Sequence, residues 1–499
     1  MPHLPLMVAA VLLGSGPQGP GPAPEPKAAV DVVAALEEAL VAAIARAEPS
    51  VVAIAREKDG KVEGTARVRG RNLPAIPAPP DGGIFIRRFP DFNGMDEGET
   101  PDYTATDFGS GVVIGAKGEI LTSFSVVRGA SRLLVRAAGT ADFDAEVIAA
   151  DPRSDLAVIV PCEASTHPRP QFLPLSAAGR ARLRPMPLGD ATRIRKGTFL
   201  LALGNPFNAS KDGHAAASWG ILANIARRLD SAQVEPRARQ LRHYPTLLQL
   251  DAKLNLGMSG GAVVNLKGEL VGLTTDAANA GGFDAQAGYA LPINALTRRA
   301  IETLRQGREV EYGFLGIGLP RDGTNRVDTV TPGTPAGEGG VLINDVITAI
   351  GEIPVVDADT LVMAVNAFAP GAPIKVAIRR EGKEVERTVV LSKLPIVGEV
   401  IATVRPDLWR GLRVDFVSTS GRNNLGNNVL EAMARGGVVA AEVQPGSPAD
   451  DAEIKAGQVI TAVGDEPVRS PAEFAKAVAD RRGAVTLLVD GMQRITVKE

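Results

Sequence analysis

Two stretches of this chain are copies of each other, and that repeat limits what the chain can fold into more than any other feature. Val330-Thr331-Pro332-Gly333-Thr334-Pro335-Ala336 returns as Val443-Gln444-Pro445-Gly446-Ser447-Pro448-Ala449, and Val346-Ile347-Thr348-Ala349-Ile350-Gly351 returns as Val459-Ile460-Thr461-Ala462-Val463-Gly464. Both matches share an offset of 113 positions, and 12 of 26 residues are identical across the ungapped window. Solenoid repeats have periods of roughly 20–50 residues, so the C-terminal part holds two tandem globular modules instead. The chain has 499 residues, enough for about three domains. At least one further domain precedes the repeat.

That earlier region carries hairpin signals. In Gly109–Ser123 (GSGVVIGAKGEILTS) the turn Ala116-Lys117-Gly118 joins two apolar runs, and in Ala262–Thr275 the turn Leu266-Lys267-Gly268 does the same. Glycine and proline together make up about 18% of the chain and aromatics only 4%, a balance that favours turn-rich β structure. The expectation is a mainly β protein. Asp31–Ala47 reads as a leading helix with an apolar stripe at Val33, Leu36, Leu40 and Ile44, Asp31 as its cap and Pro49 as its stop. Leu296–Gly307 reads as a closing helix. Arg71–Thr106 is a long polar, Pro/Gly-rich excursion.

Net charge is −3 and no Lys/Arg block stands out, which disfavours nucleic acid as a partner. The single Cys162 allows no internal disulfide, and His3, His167, His214 and His243 are too scattered to hold a metal. No cofactor is expected. Leu4–Leu13 is about ten residues of apolar chain, too short to span a bilayer and the right length for a secretion signal. Residues 17–28 follow as a Pro/Gly linker. The mature chain is expected outside the cytoplasm, periplasmic or secreted, with no membrane span.

The candidate chemistry lies in Gly257-Met258-Ser259-Gly260-Gly261. A serine in a Gly-flanked turn can expose its hydroxyl while neighbouring N–H groups converge on a developing oxyanion. On its own the pattern is equally well a plain turn, and the hairpin after it disfavours an esterase-type elbow, which needs a helix there.

With that turn stand Pro49-Ser50-Val51-Val52, the 109–123 segment, Asp151-Pro152-Arg153-Ser154-Asp155-Leu156-Ala157-Val158, Ala202–Phe207, Gln249-Leu250-Asp251-Ala252 and Gly288–Asn294. In order and spacing these resemble the HtrA (DegP-like) family of trypsin-like serine proteases with C-terminal PDZ domains. The resemblance implies a trypsin-like double β-barrel over 49–307, after a leader over 1–28 and a helix over 29–48, then PDZ domains over 312–394 and 405–499. It also implies a homo-oligomer, typically a trimer, and a role in protein quality control.

Within the resemblance the nucleophile falls on Ser259, the orienting acid on Asp155 and the oxyanion turn on Gly257 and Met258. The family's general-base histidine lies in a segment like T-N-x-H-V-V, and here that segment is Thr122-Ser123-Phe124-Ser125-Val126-Val127. Ser125 holds the base position, and a serine hydroxyl cannot accept a proton from Ser259 near neutral pH. Met258 and Leu256 also depart from the family's usual residues. Lys253 falls at the floor of the primary specificity pocket, where it would suit an acidic side chain, or is a solvated surface lysine. PDZ domains take a peptide as an added strand and capture its terminal carboxylate on backbone N–H groups. That loop would be Phe314-Leu315-Gly316-Ile317, facing a helix with Leu361 and Val365. In the second copy it would be Gly411-Leu412-Arg413-Val414, facing Phe474 and Val478, with Arg413 where the first copy has Gly316.

The preferred function is a proteolytically impaired chain that binds unfolded proteins or protein C-termini. The alternatives are an active endopeptidase with an unconventional base and a scaffold or regulator of an active relative.

Overall fold

The structure is a computed structural model that describes residues 26–57, 107–163, 173–174, 183–205, 212–227, 247–252, 254–255, 257–275, 288–396, 399–423 and 436–499. The apolar leader, the Arg71–Thr106 excursion, Lys253, Leu256, His3, His167 and His243 lie outside these residues.

A helix spans Pro26–Ala47. It begins five residues earlier than Asp31, because proline at a first helical position has its φ already set and forfeits no intrahelical hydrogen bond. Asp31 is therefore interior and exposed rather than a cap. Only the C-terminal turns reach the barrels. Ala43 and Ala47 are fully buried and Leu40 and Ile44 pack beside them, whereas Val33 is 65% exposed.

Six strands form the first barrel: Val51–Glu57, Asp107–Val113, Ile120–Ser123, Arg132–Arg136, Phe143–Asp151 and Leu156–Glu163. Their order closes because Phe143–Asp151 pairs with Leu156–Glu163. The second barrel closes in the order Leu247–Leu250, Gly288–Pro292, Leu270–Thr274, Ala262–Val264, Phe199–Gly204 and Ala216–Arg227. Both hairpins read from the sequence are present as antiparallel pairs. Each barrel has its own apolar filling. A third cluster lies between them, from Val112 and Leu156 of the first barrel to Leu203 and Leu291 of the second. The helix Ala295–Arg305, capped by the Asn294 side chain on the Thr297 N–H, packs Leu296, Ile301 and Leu304 into that seam.

Each copy of the repeat then forms its own small α+β unit with its own core. The repeated Pro-Gly-x-Pro-Ala segments become matching short helices, Pro335–Glu338 and Pro448–Asp451. Longer helices, Ala358–Asn366 and Pro471–Ala479, cover the sheets. Part of the chain between the two units is held on the first barrel. Ile401–Ala402 pairs with Ala149 and Ala150 as an extra edge strand of the first barrel. The fold is thus mainly β, a trypsin-like pair of six-stranded barrels followed by two PDZ domains.

Candidate functional site at the barrel seam

The serine turn is shaped by two glycines. Gly257 has φ +93° and Gly260 φ +79°, a region that costs an L side chain about 1–2 kcal/mol. At Gly257 space matters as well, since a Cβ would lie 2.6 Å from the Phe108 ring and 2.7 Å from the Asn205 carbonyl oxygen. The turn is then pinned by hydrogen bonds to both barrels. The Ser110 N–H donates to the Ser259 carbonyl at 2.8 Å, and the Ser110 hydroxyl donates to the Gly257 carbonyl at 2.7 Å while accepting the Asn205 N–H at 2.9 Å. Thr274 donates its hydroxyl to the Met258 carbonyl. Met258 is 3% exposed.

The next residue, Thr275, donates to a carboxylate oxygen of Asp155 at 3.1 Å. Adjacent threonines thus hold the serine turn and the aspartate in one frame. Asp155 also accepts the Ser123 hydroxyl and the Ser125 backbone N–H at 3.0 Å, and its own carbonyl accepts the Phe124 N–H at 3.0 Å. Its φ of +54° is unusual for a residue with a side chain. This turn brings the carboxylate under the short helix Phe124–Val127. Asp151 steadies the same loop by accepting from the Ser154 N–H and hydroxyl and from the Tyr312 hydroxyl.

Ser125 and Ser259 have something in common that the aspartate lacks. Both hydroxyl oxygens are buried and have no hydrogen-bond partner among the described residues. The described histidine, His214, is exposed and its Nδ1 lies 3.0 Å from Glu48 Oε1; the Glu48 hydrogen bond pushes its pKa up. Ser110, Ser123, Thr274 and Thr275 escaped sequence reasoning. For Ser110 a signal existed, since it too stands between glycines, Gly109 and Gly111.

In the first PDZ domain Gly316 has φ +86°, and its carbonyl accepts the Thr331 N–H at 3.0 Å. Leu315, Leu361 and Val365 are core residues, whereas Phe314 and Ile317 are half-buried. Ile317 pairs with Val330. In the second domain the counterpart of Gly316 is Gly411, not Arg413. Gly411 has φ +83°, its carbonyl accepts the Gln444 N–H as that of Gly316 accepts Thr331, and Arg410 accepts from Ala449 as Leu315 does from Ala336. The second loop is therefore Trp409-Arg410-Gly411-Leu412. Arg413 and Val414 lie on the following strand, Leu412–Phe416, with Arg413 bonded to Glu442 at 3.0 Å. Phe474 and Val478 are buried in the second core.

Comparison with known proteins agrees with this architecture. The profile of a trypsin-like peptidase domain matches residues 109–273 and PDZ profiles match 313–391 and 439–490. The chain is 28% identical over 455 residues to the "Periplasmic pH-dependent serine endoprotease DegQ" of Escherichia coli (strain K12), covering 88% of this chain and 86% of that one. To the "Periplasmic serine endoprotease DegP" of Salmonella typhimurium (strain LT2) it is 28% identical over 408 residues, covering 79% and 76%. Among solved structures, an "HtrA-type protease AlgW with tripeptide" aligns with 24% identity and a TM-score of 0.48, covering 71% of this chain and 97% of that one. The chain is thus similar along most of its length to the periplasmic serine endoproteases DegQ and DegP, and its profile matches run in the order of one trypsin-like peptidase domain and two PDZ domains.

Proposed function

We propose that this chain is an HtrA-like extracytoplasmic protein of quality control that has kept binding and lost most or all proteolysis. The observation that carries the reading is that the Ser125 and Ser259 hydroxyls have no hydrogen-bond partner among the described residues, while Asp155 accepts the backbone N–H of Ser125. In the family pattern an imidazole stands between the acid and the nucleophile. Here the acid instead receives the backbone N–H of Ser125. A serine hydroxyl stays protonated near neutral pH and cannot relieve Ser259 of its proton as it attacks, so the nucleophile remains weak. Loss of a triad base lowers turnover by a factor on the order of 10⁶.

Binding is assigned to the first PDZ domain, through Gly316 and the half-buried Ile317, with unfolded chains or protein C-termini as partners. A homo-oligomer and a periplasmic or secreted location belong to the same reading; the relatives named above are periplasmic by description, and no helix among the described residues is long and apolar enough to cross a membrane. The test is hydrolysis of casein and of unfolded peptides by the full chain beside a Ser259→Ala control. Equal rates support the reading. Cleavage by the parent that Ser259→Ala stops overturns it.

A further inference from the structure

Lys393 is the last residue of the short strand Ser392–Lys393, which pairs with Gly313–Phe314 in the first PDZ domain. Its side chain is only 4% exposed, and its ammonium meets three carboxylates: Glu309 at 3.2 Å, Glu311 at 3.1 Å and Asp415 at 2.9 Å. These come from different parts of the molecule. Glu309 and Glu311 belong to the connector that leaves the barrels after the helix Ala295–Arg305, while Asp415 belongs to the strand Leu412–Phe416 of the second PDZ domain. Ser418 closes the same junction. Its hydroxyl donates to the Lys393 carbonyl at 2.6 Å and lies 2.7 Å from the Ser392 hydroxyl.

Burial pulls the Lys393 ammonium down, but the charges of Asp415, Glu309 and Glu311 outweigh it and hold it above the usual lysine range. Three carboxylates against one ammonium leave an excess of negative charge, and burial pushes the Glu309 carboxyl up in spite of Lys393. The carboxylates themselves are 29%, 43% and 24% exposed for Glu309, Glu311 and Asp415, so taking away the Lys393 ammonium would leave them to repel one another across the junction rather than strand a fully buried charge. A cavity of about 770 Å³ opens beside the cluster. Val414 and Phe416 line it from the second PDZ domain, Gly371 from the first, and Val404 and Arg405 from the segment between them.

We propose that Lys393 with Glu309, Glu311 and Asp415 is an interdomain latch that docks the second PDZ domain on the first and on the barrel connector. The strand Leu412–Phe416 pairs with Val438–Val443 on one side, and its other side faces that cavity. With the latch closed, the first PDZ domain and the connector wall this face. With it open, the wall leaves and the face is free for an extended segment of another chain.

The latch is tested in the full chain with Asp415→Asn, which releases only the second PDZ domain and leaves Lys393 with two carboxylates, and with Lys393→Met. Thermolysin cleavage before Leu408, in the segment between the PDZ domains, should speed up about fivefold or more in both variants, as cleavage tracks the population of the open form. The radius of gyration from small-angle X-ray scattering should rise while far-UV circular dichroism is unchanged. Should Lys393→Met fail to fold, Asp415→Asn decides alone. Digestion and scattering that match the parent overturn the latch. So does new cleavage confined to the interior of the second PDZ domain, which would mean that the cluster stabilises that domain instead of docking it.

Discussion

The hydroxyl of Tyr312 donates a 2.5 Å hydrogen bond to the carboxylate of Asp151, and both residues are fully buried. Arg153 and Arg299 stand over the Tyr312 ring, 5.1 and 5.8 Å from its centroid. A residue at the threshold of the first PDZ domain is thereby built into the loop that ends in Asp155. Replacing Tyr312 by Phe keeps the ring and removes the donor. Since a hydrogen bond to a charged group contributes about 1.5–3 kcal/mol, the variant should be less stable by about that amount and its urea midpoint should fall accordingly. An unchanged midpoint would show that the bond is idle.

A second prediction concerns the base position. Ser125→His puts an imidazole next to Asp155, and if the turn around Gly257 and Met258 can still receive an oxyanion, casein cleavage should rise by at least about 100-fold over the parent, a small part of the roughly 10⁶ that a complete triad provides. Ser259→Ala in the same background should abolish the gain. A silent Ser125→His variant would place the defect in the turn as well.

The turn itself can be probed at Gly257. An alanine there must adopt φ near +93° and press its Cβ on the Phe108 ring and the Asn205 carbonyl. The left-handed backbone alone costs about 1–2 kcal/mol, so Gly257→Ala should lower stability by more than that, measured by thermal unfolding.

A fourth expectation follows from Asp345. Burial, the largest influence, pushes its carboxyl up, but the Arg380 guanidinium at 2.8 Å and the Leu342 N–H outweigh it, and the pKa is lowered. A carboxylate with a depressed folded-state pKa stabilises the fold at pH values above its unfolded value, about 3.9, and loses that contribution as pH falls through the folded-state value. Urea unfolding between pH 5 and pH 2 should show this acid loss in the parent and a flatter profile in Asp345→Asn.

For the first PDZ domain, peptides ending in an apolar residue should bind the full chain at least about tenfold more tightly as free acids than as C-terminal amides, because a captured carboxylate is worth about 1.5–3 kcal/mol. Equal affinities would point to recognition of internal segments.

The sequence carried the local rules well. Ala116-Lys117-Gly118 and Leu266-Lys267-Gly268 announce their hairpins through turn chemistry, and the repeat at offset 113 announces two like modules. Ser259 was visible because glycines flank it. What escaped were partners set by tertiary approach. Thr275 reaches Asp155 across 120 positions and Ser110 reaches Gly257 across 147, and no periodicity links such pairs. Lys393 carries no signal in the sequence, since its three carboxylates converge only when the connector and the two PDZ domains meet. The match of Arg413 to Gly316 failed for a related reason. From the bend glycine to its hydrogen-bond partner the chain runs 15 positions in the first copy, Gly316 to Thr331, and 33 in the second, Gly411 to Gln444, so the repeat's offset does not carry to the loop, and the φ of +83° at Gly411 reveals which residue makes the bend.

The edge strand Ile401–Ala402 also works as a leash. The Thr403 N–H bonds the Ile148 carbonyl and the Val404 N–H the Gly307 carbonyl as well, so while these hold, four residues, 405–408, separate the attached chain from the Trp409–Leu412 bridge that opens the second PDZ domain. At about 3.5 Å per extended residue they reach roughly 15 Å. An undocked domain on so short a lead swings close to the barrel surface and cannot search the surrounding solution. Peeling residues 401–404 away would lengthen the lead to the twelve residues after the buried Ile396, roughly 40 Å when taut, so a handful of backbone bonds set the radius within which this domain can find anything to hold.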